Sequence, residues 1–206
     1  MAESVQAFVQ GLKSRNEDTR LSIATALQHY INTEVQELSS EQNIEFMSEL
    51  NSNIYDMLSS SDIHEKKGGL LGIVSQIDVD GSDGQLLKFY NLLRNLLPSP
   101  DIGVMEIAAQ VMGRMAASSG YRTEHIEFQV QRSVEWLGTE KNDPKRHAAV
   151  LVLREMAVSS STIFYQQIQS FFDGIFHVIH DSKQSIRECA IEALRAALSL
   201  VVQRET

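Results

Sequence analysis

Five groups of residues in this 206-residue chain have the types that could do chemistry, and none has its partners at the spacing that chemistry requires. Asp78-Val79-Asp80-Gly81-Ser82-Asp83-Gly84 opens like a calcium loop. An EF-hand loop needs glycine at its sixth position and a bidentate acid at its twelfth. Those positions hold Asp83 and Phe89, so the segment reads as an acidic inter-helix turn. Gly68-Gly69 and Gly72 have no Lys-Ser or Lys-Thr at Walker spacing and no strand before them, so they read as close-packing positions in a helix and not as a phosphate loop. His177 and His180 share a helix face beside Asp181, but no third metal ligand falls at a helical offset; an exposed or capping role near a helix end is expected. Cys189 has no evident His partner and lies on a small-residue face, which predicts a buried, unreactive thiol. Carboxylate pairs such as Glu34/Glu37 fall on polar helix faces. The expectation is therefore no catalytic residue, no cofactor and no metal.

What the chain does contain is a recurring frame. An acidic turn, usually a basic residue, and a run of small and branched apolar residues return five times, with Asp18, Asp62, Asp101, Asp143 and Asp181 spaced 44, 39, 42 and 38 residues apart. Paired helices at that period are the mark of HEAT or armadillo repeats. The position of Arg20, Lys66, Met105, Arg146 and Arg187 serves as the zero of each copy. The +3, +4 and +7 places then read Ile23/Ala24/Leu27, Gly69/Leu70/Ile73, Ala108/Ala109/Met112, Ala149/Val150/Leu153 and Ala190/Ile191/Leu194. Those offsets share one helix face, and small residues at +3 let neighbouring helices approach.

The predicted elements are ten helices near 2–13, 17–37, 40–59, 62–77, 84–97, 100–118, 123–137, 143–158, 160–180 and 183–203. The fold expected is all-α, a right-handed HEAT-repeat α-solenoid of five helix pairs forming one array over 1–206. The turn acids read as N-caps, which accept bonds from orphan amides and sit at the positive end of the helix. Pro144 is expected at the first helical position, where its missing N–H is harmless. First-helix stripes expected to be core are Ile44/Met47/Leu50/Ile54/Leu58, Leu86/Tyr90/Leu93/Leu97 and Phe171/Phe172/Ile175/Phe176/Ile179.

Composition narrows the function classes. The formal charge is −9, which disfavours nonspecific binding to nucleic acid, and none is expected as a partner. The purest apolar run, Ala148 to Leu153, is far short of the roughly 18 residues of a membrane span, and no secretory signal opens the chain. One cysteine excludes an internal disulfide.

Longer strings carry a family resemblance. Gly11-Leu12-Lys13-Ser14-Arg15-Asn16-Glu17, Leu92-Leu93-Arg94-Asn95-Leu96-Leu97-Pro98-Ser99, Val134-Glu135-Trp136-Leu137-Gly138 and Arg146-His147-Ala148-Ala149-Val150-Leu151-Val152-Leu153-Arg154-Glu155 are among them. On these the chain resembles the extreme N-terminal HEAT repeats of the target of rapamycin (TOR) serine/threonine protein kinases, over nearly its whole length. The resemblance implies a kinase by parentage and a scaffold by content, since no Gly-rich loop or catalytic Asp motif of a kinase is present. It further implies a curved arm in a dimeric parent complex acting in nutrient and growth signalling. Its partners would be a large scaffold subunit and a small GTPase activator. The parent would be cytoplasmic and recruited to lysosomal or endomembrane surfaces. The chain would be a piece of a longer one, with an apolar face exposed at its C-terminal end.

The resemblance places the GTPase contact at Lys88, Phe89, Tyr90 and Asn91. Phe89 and Leu92 lie off the Leu86/Tyr90/Leu93/Leu97 line, so the same helix has surplus apolar surface that could serve a partner or the next repeat. Two rival readings stand beside the kinase scaffold. One is a free-standing HEAT adaptor, such as a transport or phosphatase scaffold; the other is a small helical hydrolase or metal enzyme.

Overall fold

The computed structural model describes residues 5–77, 79, 83–118 and 123–205. Every regular element among them is a helix: α1 (Val5–Leu12), α2 (Glu17–Asn32), α3 (Glu34–Glu37), α4 (Ser40–Ser59), α5 (Ile63–Val74), α6 (Asp83–Leu96), α7 (Ile102–Ala117), α8 (Thr123–Thr139), α9 (Asp143–Ser159), α10 (Ser161–Gln166), α11 (Ile168–Val178) and α12 (Gln184–Glu205). The chain divides into two compact units, Met1–Leu92 and Leu93–Thr206.

Two of the ten expected helices are each broken in two. The 17–37 segment bends at Thr33 (φ −115°, ψ −78°), where the backbone N–H and the side-chain hydroxyl both donate to the His29 carbonyl. The 160–180 segment breaks at Gln167 (φ −104°, ψ 10°). Neither site carries proline or glycine, so the usual sequence sign of a break is missing.

In the first unit, α1, α2, α4 and α5 close around Leu12, Leu27, Ile31, Leu50, Ile54, Met57, Leu70 and Ile73, all fully buried. Each such side chain contributes about 1.5–3 kcal/mol by leaving water. A line of rings, Phe8–Tyr30–Phe46, joins α1, α2 and α4 at 5.3 and 5.5 Å between centroids. Ile44 does not join the stripe drawn for α4: it is 69% exposed, and Phe46 and Met57 are buried in that helix. Helix α4 starts in a full capping box, Ser39 with Gln42. The glycines of α5 are packing positions: a Cβ on Gly68 would lie 2.1 Å from the Leu12 carbonyl oxygen, and one on Gly72 would lie 3.0 Å from Ile54.

In the second unit α9 is the central helix, packed by α7, α8, α10 and α12. That explains its sequence. Ala148 to Leu153 are all fully buried because the middle turns of α9 are enclosed by other helices on every side. Gly113 lets α7 approach α9 at Glu155, and Gly174 lets α11 approach α8 at Leu137. The +3 column is buried at Ala108, Ala149 and Ala190. The +4 column is buried at Ala109 and Val150 but not at Ile191 on α12, which is 42% exposed.

Candidate functional site

The turns before the second helices are the most regular feature of the chain, and they are built from three positions. The first is the residue two before the cap, whose side-chain oxygen accepts the N–H of the cap residue. Asn16 N–H donates to Ser14 Oγ (3.2 Å), Asp62 to Ser60 Oγ (3.1 Å), Asp101 to Ser99 Oγ (3.2 Å), Asn142 to Glu140 Oε1 (3.0 Å) and Lys183 to Asp181 Oδ1 (2.9 Å). Amide donors in these turns hold Asp62 and Glu140 below their usual carboxylate ranges: N–H groups of His64 and Asn142 respectively are the largest cause in each.

The cap itself is the second position. Asp62 and Asp101 cap α5 and α7 as expected, accepting from His64 and Glu65, and from Val104. Asp18 and Asp143 do not cap. Asn16 and Asn142 take that place, so Asp18 and Asp143 fall inside the first turn and Pro144 is the second residue of α9. An acid is favourable anywhere in the first turn, so a common acidic column conceals a shift of one or two residues in the cap.

The third position is the basic zero of the repeat, four residues after the cap. In the three copies where it is arginine, the guanidinium folds back onto the turn. Nη1 of Arg20 donates to the carbonyls of Ser14 (2.7 Å) and Arg15 (3.1 Å), and that of Arg187 to Asp181 (2.7 Å) and Ser182 (3.0 Å). Nη1 of Arg146 donates to Lys141 (2.8 Å) and, at 3.5 Å, to Glu140. The recurring Arg is thus a clamp on its own turn. A fixed Ser-x-Asn or Ser-x-Asp spacing in the first three copies was the available sequence signal for the first two positions.

Arg146 also joins two repeats. It binds Asp143 at 2.7 Å and Asp181 at 2.8 Å, while Lys183 returns to Asp143 at 2.9 Å. The Lys183 ammonium, then Arg146, holds Asp143 below the usual range. Burial opposes the charge on Arg146, but the Asp181 and Asp143 carboxylates win and raise its pKa. Further along, Arg154 bridges Glu155 and Glu192 at 3.0 and 2.6 Å.

Cys189 does have a histidine partner. His147 Nε2 lies 3.4 Å from its Sγ, across the α9–α12 packing and one repeat away in sequence, which is why the pairing could not be read from the chain. Both residues are buried. Burial pushes the thiol up and the imidazole down. A nucleophilic pair needs thiolate beside imidazolium; burial here favours the neutral forms of both, so the contact is a packing feature.

The other candidates are dispersed. His177 and His180 are not brought together with further ligands: among the described residues no three His, Cys, Asp or Glu side chains could hold a metal ion. Of the calcium-like turn, Asp78 and residues 80–82 lie outside the described residues. Of the four partner-binding candidates on α6, Lys88 and Asn91 reach solvent, but Phe89 (0%) and Tyr90 (1%) are core residues. Phe89 packs on Tyr55 at 5.2 Å between centroids. Of the two surplus apolar residues, Phe89 is interior and Leu92 is half-buried; of the four candidates, Lys88 and Asn91 are the exposed ones.

Comparison with known proteins gives one consistent answer in sequence. The serine/threonine-protein kinase mTor of Drosophila melanogaster is 41% identical over 208 residues, covering 98% of this chain and 8% of that protein. The kinase tor1 of Schizosaccharomyces pombe is 37% identical, covering 96% of this chain and 9% of its own length. The kinase TOR of Oryza sativa subsp. japonica is 36% identical over 89% of this chain and 8% of its own length. The chain is thus similar to a segment of these TOR kinases and spans less than a tenth of their length. No family model matches it. In structure it is similar to a designed armadillo repeat protein in complex with the peptide (KR)4, with TM-score 0.51 at 15% identity, covering 94% of this chain and 81% of the other. That likeness shows an all-α helical-repeat fold.

Proposed function

We propose that this segment of a TOR-type serine/threonine kinase works as a helical-repeat scaffold arm, contributing to assembly of the kinase complex and to docking of a regulator. The observation that carries this reading is 41% identity to a TOR kinase over 98% of the chain. A fold of stacked helix pairs is suited to the role, because repeats present a continuous surface without building a pocket. In this reading phosphoryl transfer belongs to another part of the parent chain. The partners are a large scaffold subunit and a small GTPase activator in a dimeric complex, which is cytoplasmic and recruited to lysosomal or endomembrane surfaces.

Within α6 the docking surface is Lys88 and Asn91, with Phe89 and Tyr90 holding the helix in place from behind. The test is a change of charge on the solvent-facing pair in the full kinase complex, reversal in Lys88→Glu and an added negative charge in Asn91→Asp. The expected result is loss of GTPase-dependent kinase stimulation, with basal kinase activity and complex assembly intact. Unchanged stimulation refutes docking at α6. Failure of the unmodified chain to be recovered with the scaffold subunit, when exchanged for its counterpart in the assembled complex, refutes the scaffold reading itself.

A further inference from the structure

We draw no further inference here: the strongest candidate, the exposed apolar residues Ile191 and Leu198 on α12 with Phe176 on α11, carries none because nothing in the structure shows what covers them.

Discussion

Adding one methyl group at Gly68 tests whether the close approach of α5 to α1 is as rigid as the packing implies. In Gly68→Ala the new Cβ meets the Leu12 carbonyl oxygen at 2.1 Å and its carbon at 2.8 Å. Both are backbone atoms, so no rotamer change relieves the clash. Restoring an ordinary contact of about 3.3 Å requires the helices to part by roughly 1 Å, which loosens the seat of Leu12, Ile54 and Leu70. Overpacking of this kind costs about 1–3 kcal/mol, and an immovable neighbour puts it at the upper end. Alanine's better helix propensity returns about 1 kcal/mol. The net expectation is a loss of about 2 kcal/mol, a shift of about 1 M in urea midpoint for a unit of this size. Trp136, the only tryptophan, lies in the other unit, so its fluorescence is a poor reporter. Far-UV circular dichroism, with hydrogen exchange read on peptides from α1 and α5, is the suitable assay. Gly138→Ala is the control: outside its chain neighbours and its own helix backbone nothing lies within 4 Å of where its new methyl would sit, and the same propensity argument predicts a gain of up to about 1 kcal/mol. Equal or greater stability of Gly68→Ala would refute the claim that glycine is required there.

Other expectations follow from the second unit. Arg146→Met removes the turn clamp and leaves Asp181, whose side chain is only 6% exposed, with the Lys183 N–H but no cation, so a loss of about 2 kcal/mol is expected in thermal unfolding followed by Trp136 fluorescence; Arg146→Lys should recover only part of it, because an ammonium lacks the guanidinium fork. His147 is held neutral by burial, so its folded pKa lies below the unfolded value of about 6.5 and the unfolded chain takes up the proton first. Stability should be fully present above about pH 6.5 and fall as the pH drops through that value. His147→Gln should flatten this part of the urea-midpoint profile between about pH 5 and 8, and identical profiles for the two proteins would sink the argument. Cys189, buried and with its thiol pushed up, should react with a thiol-specific disulfide reagent at a small fraction of the rate seen in denaturant, and rapid native labelling would contradict its placement.

The fold was legible because the repeat writes the same instruction five times. The small +3 residues, the apolar +4 and +7 residues and the turn acids agree on one answer, and agreement across copies outweighs the ambiguity of any single helix. Breaks at Thr33 and Gln167 were not legible. They depend on local bonding of a threonine hydroxyl and on an unremarkable backbone conformation, and neither leaves a glycine or proline behind. The site was harder for a related reason. Periodicity tells which face of α6 is apolar, but it cannot tell whether Phe89, off the main stripe, meets solvent or a second neighbour. Tyr55, more than thirty residues away, decides that.

The turn shows how one structural function can be satisfied by different residues, and why an acidic column misled the capping assignment. Each turn has an oxygen that accepts the cap N–H, four have a cap oxygen that accepts from the first-turn amides, and three have a cation over the turn carbonyls. Ser60 and Asp62 divide the first two tasks in the second copy, and Glu140 and Asn142 divide them in the fourth. In the fourth copy the neighbouring Asp143 is then free of capping and can join Arg146 and Lys183. In the fifth, Asp181 takes the first position and also accepts Arg146 from the copy before it. The last two turns are therefore tied to each other by charge as well as by packing. A carboxylate moved off the cap becomes available for a bond between repeats, so the register of the acid within the turn decides whether it serves its own helix or the next one.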